Sequence, residues 1–130
     1  MIIKQLLAHK NKIVVLAVAY TVLLTYSCLI TPKEPIEIVS QSDKLIHALA
    51  YFVFTILWFV ALFNPLRKIT FKFTAVIFLG ALIYGILIEY LQHYCTLNRQ
   101  GDVKDVLANV LGTLIALVFI NVIINKTVKS

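Results

Sequence analysis

Residues 73–94 read FTAVIFLGALIYGILIEYLQHY, with Glu89 the one carboxylate and His93 the one imidazole in the run. A helix crosses the hydrocarbon core of a bilayer with about 20 mostly apolar residues, so a stretch of this length and composition reads as a transmembrane helix. Three further runs of the same kind occupy residues 13–30, 45–63 and 106–124. The whole chain agrees: 61% of its 130 residues are hydrophobic and 14% charged, against about 45–50% and 25% in ordinary globular proteins. That leaves too little polar surface to coat a particle in water. A membrane β-barrel needs at least about eight strands of alternating pattern, whereas these runs are continuous. The expected fold is all-α, a four-span transmembrane helical bundle forming a single domain over 1–130.

The breaks between runs carry helix-stopping residues. Thr31-Pro32-Lys33-Glu34-Pro35 ends the first and Asn64-Pro65-Leu66-Arg67-Lys68 the second, because a proline and its predecessor both resist helical continuation. Ser42-Asp43 reads as a helix N-terminus, and residues 98–102 as a polar turn before the fourth run. The first run follows Lys4, Lys10 and Lys12 as a secretory signal would. It is longer than the usual h-region of about 7–15 residues and ends in Thr25-Tyr26-Ser27-Cys28 rather than a small-x-small cleavage site, so an uncleaved span is expected.

Charge sets an expected orientation. Eight of the 12 Lys and Arg residues fall in the N-terminal segment, the 64–72 loop and the C-terminal tail, and four in the other two loops. The positive-inside rule then places both termini and the 64–72 loop in the cytoplasm. All six carboxylates lie toward the outer half. The net charge of +6 is therefore a topological signal and a lipid-headgroup attraction, which removes nucleic acid as a partner.

At 1.5 Å rise per residue, His47, Glu89 and Asn109 each fall about one turn from the outer end of their helices. Each belongs to a polar stripe: Asp43 and His47 with Tyr51 one turn deeper; Glu89, Gln92 and His93; Asp102, Asp105, Asn109 and Gly112. Such groups are costly against lipid, so they are expected to turn inward and line a polar pocket open to the outside. A bland reading stands beside each functional one. His47 serves as an acid–base group or merely hydrogen-bonds a neighbour. Glu89 lies inward or reaches out of the bilayer. Arg99 grips a phosphate or carboxylate in its fork, or forms a plain loop pair with Asp102. Asp105 fits either role, and Asn109 reads as an interhelical hydrogen-bonding residue. His47, Glu89, His93, Asp102 and Asp105 offer metal-type donors, but no HExxH or CxxC spacing organises them, so neither a metal nor another cofactor is expected. Cys28 and Cys95 fall on the same side and read as independent residues rather than a disulfide.

These clusters in their order, Asp43-Lys44-x-x-His47-x-x-x-Tyr51, Glu89-x-x-Gln92, and Arg99-x-x-Asp102-x-x-Asp105-x-x-x-Asn109-x-x-Gly112, resemble the VanZ-like family of small bacterial membrane proteins over residues 43–112. The resemblance implies a cell-envelope protein with four or more spans and, for the family's namesake, low-level glycopeptide resistance. The family often has a second glycine four residues after the first, and Ala116 stands there instead. Small-xxx-small spacing is kept.

The expected function is binding of an envelope lipid, a lipid-linked intermediate or a glycopeptide through Asp43, Lys44, His47, Glu89, Gln92, Arg99, Asp102, Asp105 and Asn109, with a contribution to antibiotic tolerance. The alternative is a membrane enzyme that hydrolyses or transfers a lipid-borne group, with His47 and Glu89 or Asp105 as acid and base. That enzyme would lack a recognisable nucleophile, because no GxSxG elbow surrounds Ser40 or Ser42. Proton-coupled transport is a third class, weakened by the absence of a polar path through the inner half. Gly80, Gly85 and Gly112 are expected to seat either neighbouring helices or a second copy of the chain.

Overall fold

The computed structural model describes residues 4–5, 8–30, 40–64, 67–96 and 102–129. Among them are four long helices: α1 (Lys10–Leu29), α2 (Ser40–Leu62), α3 (Phe71–Cys95) and α4 (Val103–Lys129). Each is long and apolar enough to cross a membrane. The helices overrun the apolar runs at the ends where polar residues begin. Thus α2 starts at Ser40 rather than 45, and α4 at Val103 rather than 106. The early start of α4 has a local cause: the Asp102 carboxylate accepts the backbone N–H of Lys104 at 2.9 Å, an N-cap for an otherwise orphaned donor. Thr70 caps α3 in the same way, accepting from the N–H of Phe73 at 3.1 Å.

Contacting pairs fix the directions. His47–Asn109 and Thr55–Thr113 ascend together, so α2 and α4 run parallel. Glu89–Asp102 pairs the end of α3 with the start of α4, so those two run antiparallel. Along α1 and α3, Thr25 meets Tyr84 and Cys28 meets Gln92, again in parallel. The N-termini of α2 and α4 therefore share one end of the bundle with the C-termini of α1 and α3, here called the site end. Tyr26, Tyr90 and Tyr94 stand exposed around that end, as amphipathic rings do at the headgroup level. Lys10, Lys12, Arg67, Lys68, Lys72 and Lys126 are exposed toward the other end.

The parallel pair α2–α4 is the tightest seam. A Cβ added to Gly112 would sit 2.0 Å from the carbonyl oxygen of Ala48, so only glycine permits this backbone approach. Ala108, Gly112 and Ala116 form a small-residue ridge on α4, with Ala116 fully buried. The substitution of alanine for a second glycine thus leaves the seam closed. Gly85 admits the Tyr51 ring, whereas Gly80 has open space where its Cβ would be and seats no internal neighbour.

Polarity grades along the bundle. Away from the site end the interior is the apolar cluster of Phe59, Phe63, Ile77, Leu117 and Ile120. Midway, the hydroxyls of Thr55 and Thr113 face each other at 3.3 Å, and each also has a backbone carbonyl one turn earlier within hydrogen-bond reach. Around this core, α1 is tied on by the Trp58 indole N–H donating to Thr21 Oγ1 (2.9 Å), by the Tyr20 hydroxyl donating to the carbonyl of Ala50 (2.8 Å) and by a Thr25–Tyr84 hydroxyl pair at 2.8 Å. Interhelical hydrogen bonds in membranes contribute modestly. Tyr84→Phe is accordingly expected to lower the stability of the purified protein by about 1 kcal/mol, read from thermal unfolding in detergent, with helical content unchanged. The outward faces carry Val15, Leu23, Leu49, Ile83, Leu107 and Val118, all more than 50% exposed in the isolated chain and all suited to acyl tails.

Candidate functional site

At the site end, three helices bring polar side chains to one level. From α2 come Lys44 and His47, from α3 Glu89, and from α4 Asp105 and Asn109, with Asp102 at its cap. Glu89, Asp105 and Asn109 are buried at 6%, 8% and 3% exposure. This placement has an electrostatic logic. The N-termini of α2 and α4 both point here, and the partial positive charge of a helix N-terminus favours nearby carboxylates. Asp105 lies in the first turn of α4. One Glu89 oxygen accepts the backbone N–H of Asp102 at 3.1 Å, so a side chain of α3 satisfies the start of α4.

His47 is the hub. Its Nδ1 lies 3.2 Å from Asn109 Oδ1, and its Nε2 lies 3.7 Å from Asp105 Oδ2. With the amide oxygen of Asn109 toward the ring, Nδ1 carries a proton and donates it, which holds the imidazole in one orientation and aims Nε2 at the carboxylates. Lys44 Nζ sits 3.8 Å from both Asp102 Oδ2 and Asp105 Oδ1. Its side chain is about one-third exposed, so these pairs position the ammonium more than they stabilise the fold.

Tyr51, the deepest member of the His47 stripe, forms the floor. It is 1% exposed, and its ring lies beside Gly85 together with the Asn109 amide, both within 3.3 Å of the place a Cβ would take. Tyr51 Oη, Glu89 Oε1 and Asn109 Nδ2 are buried and have no hydrogen-bond partner among the described residues. Unsatisfied buried polar atoms are rare in folded proteins, so three of them gathered at one site call for an explanation.

Two members of the α3 stripe separate from the rest. Gln92 is buried, but its Nε2 donates to the carbonyl of Cys28 at 2.9 Å and so ties α3 to α1. His93 is exposed and stands edge-on to the Tyr94 ring. The reason is angular. Each helical residue advances about 100°, and the buried arc of α3 through Ile77, Ala81, Gly85, Ile88 and Gln92 ends at Glu89, with His93 one step past its edge. His93 instead borders an open cleft of about 290 Å³ between α3 and α4, lined also by Glu89, Tyr90, Tyr94, Asp102 and Val106. Arg99 lies outside the described residues. So do the side chains of Asp43, Ser40 and Ser42, whose backbones form the first turn of α2. Neither Cys28 nor Cys95 forms a disulfide.

The fold and the cluster define a multi-pass, all-helical membrane protein with a conjunction of His, carboxylate and amide groups at one end of its bundle. The VanZ/LLP1 family model matches residues 8–124, and the chain belongs to that family. No curated protein and no solved structure matches the chain.

Proposed function

We propose that the protein resides in a bacterial inner membrane with both termini cytoplasmic and the site end outward. There it binds the headgroup of an envelope lipid, a lipid-linked intermediate or a glycopeptide, and so contributes to antibiotic tolerance. One observation carries the reading: Lys44, His47, Glu89, Asp105 and Asn109 converge from three helices at the end of the bundle where Tyr26, Tyr90 and Tyr94 stand exposed, and Glu89 borders an open cleft between α3 and α4. Carboxylate oxygens suit the hydroxyl and amino groups of sugars and headgroups, while the Lys44 ammonium suits a phosphate. The positive residues at the other end support the orientation.

In a strain where deletion of the gene changes sensitivity to envelope-directed antibiotics, Asp105→Ala is expected to reproduce the deletion at wild-type protein levels. Wild-type sensitivity in that variant contradicts the reading. For orientation, Asp102→Cys in a background lacking Cys28 and Cys95 is expected to react with a membrane-impermeant maleimide in intact cells. Labelling only after lysis reverses the topology.

A membrane enzyme acting on a lipid-borne group is the second reading. It is favoured by the way Asn109 orients His47 toward Asp105, the arrangement general acid–base chemistry needs. Turnover of labelled bacterial lipids by purified wild-type protein, lost in His47→Ala, would select it over simple binding. The apolar cluster of Phe59, Phe63, Ile77, Leu117 and Ile120 weighs against a proton path through the bundle.

A further inference from the structure

We propose that His47, Glu89 and Asp105 hold a divalent transition-metal ion, with Zn²⁺ the best fit to the donor set. Each residue offers one ligand atom, and the three atoms lie within 4.8 Å of one another. In a tetrahedral site with bonds of about 2.0–2.2 Å, ligand atoms stand roughly 3.3–3.6 Å apart. The 3.7 Å between His47 Nε2 and Asp105 Oδ2 is close to that separation already. Motif spacing does not reveal the site, because the donors come from α2, α3 and α4, one from each helix.

Three further features point the same way. First, metal-bound histidines almost always donate their other ring N–H to an oxygen that fixes the tautomer, and the Nδ1 contact with Asn109 Oδ1 supplies that bond. In the neutral ring so held, Nε2 is the nitrogen on the side of Asp105 and the one a metal ion would take. Second, Glu89 is more than nine-tenths buried and one of its oxygens is held by the Asp102 N–H; the other, Oε1, has no hydrogen-bond partner among the described residues. Ionised carboxylates are acceptors only, so Glu89 and Asp105 cannot satisfy each other without a proton or a cation between them. Third, among the described residues three carboxylates, Glu89, Asp102 and Asp105, gather against the single ammonium of Lys44, and a divalent cation would offset that acidic excess where Glu89 and Asp105 are buried.

The imidazole ligand favours Zn²⁺ over Mg²⁺ or Ca²⁺, which take oxygen ligands. The carboxylates disfavour Cu(I), which takes thiolates and thioethers. A site with three protein ligands leaves a coordination position open, as catalytic zinc sites do. The inference is independent of the headgroup reading, since metal uptake needs no lipid and its failure leaves lipid binding untouched.

The test is equilibrium dialysis of the full-length protein, purified in detergent and stripped with chelator, against Zn²⁺ with Mg²⁺ as competitor. One Zn²⁺ per chain is expected, retained in excess Mg²⁺, with a rise in the thermal unfolding midpoint on loading. Glu89→Gln and Asp105→Asn keep side-chain shape and are expected to weaken uptake by about 100-fold or more and to abolish the midpoint rise. His9→Gln, at the far end, is expected to change neither. Helical content measured on each variant separates lost ligation from lost folding, and a Co²⁺ spectrum of tetrahedral type in the wild type gives a readout free of any variant. No saturable uptake by wild-type protein, uptake unaffected in well-folded Glu89→Gln, or equal loss in His9→Gln (an adventitious ion only) overturns the proposal.

Discussion

Gly112→Leu is expected to abolish the folded protein, and Gly112→Ala to destabilise it by about 3 kcal/mol or more. The first added carbon would lie 2.0 Å from the Ala48 carbonyl oxygen, 2.8 Å from its carbonyl carbon and 3.0 Å from its Cα. These are backbone atoms, which cannot rotate away as the end of a side chain can. Relief requires α2 and α4 to separate, which would also pull His47 from Asn109 and part the Thr55–Thr113 pair. Thermal unfolding and elution profile in detergent would read the effect. Gly80→Ala is the control: nothing lies within 4 Å of its added Cβ, and its stability is expected to stay within about 0.5 kcal/mol of wild type. Similar behaviour of the two variants would mean that the helices do not meet at Gly112.

The second large effect is functional. Glu89→Gln is expected to remove at least about 90% of the activity by which the protein is assayed, whether antibiotic tolerance or lipid binding, while the helices still assemble. Truncating or neutralising one partner of a buried polar set costs about 2–5 kcal/mol in binding, more than a tenfold change in affinity. The fold should persist because the glutamine amide would keep an oxygen to accept the Asp102 N–H, the bond that joins α3 to the start of α4. Glu89→Ala removes that acceptor too and is expected to lose stability as well as activity. The contrast between the two variants, measured as protein level in membranes against phenotype, separates the carboxylate's charge from its structural bond. Full activity in Glu89→Gln would exclude the headgroup reading of this residue.

How much of this was legible beforehand depends on dimension. The four spans were, because crossing a bilayer is a property of length and hydropathy along a single helix. Helix starts were less so: the first turns of α2 and α4 are polar, and capping by Asp102, not hydropathy, sets where α4 begins. The level shared by His47, Glu89 and Asn109 followed from counting residues along antiparallel helices. The partition of the α3 stripe did not. Whether Gln92 and His93 face the carboxylates, α1 or the outside depends on which neighbours α3 has on each flank, and periodicity does not name neighbours. The small residues of α4 announced a close contact, but that the contact is with the parallel helix α2, through Ala48, is a three-dimensional fact. Of the five metal-type donors named from the sequence, that His47, Glu89 and Asp105 converge was not legible for the same reason, since they are far apart in the chain and carry no spacing rule.

The site exists only if polar groups of α2, α3 and α4 meet at one end of the bundle. The most direct measurement is thiol cross-linking in native membranes, in a background without Cys28 and Cys95. His47→Cys paired with Asn109→Cys replaces side chains now 3.2 Å apart, and a short bifunctional maleimide is expected to join them in high yield. His47→Cys paired with Ile120→Cys, a residue of the apolar cluster far down α4, is expected to give none. Equal yields from the two pairs, or no product from the first, would contradict the arrangement of helices on which the site depends.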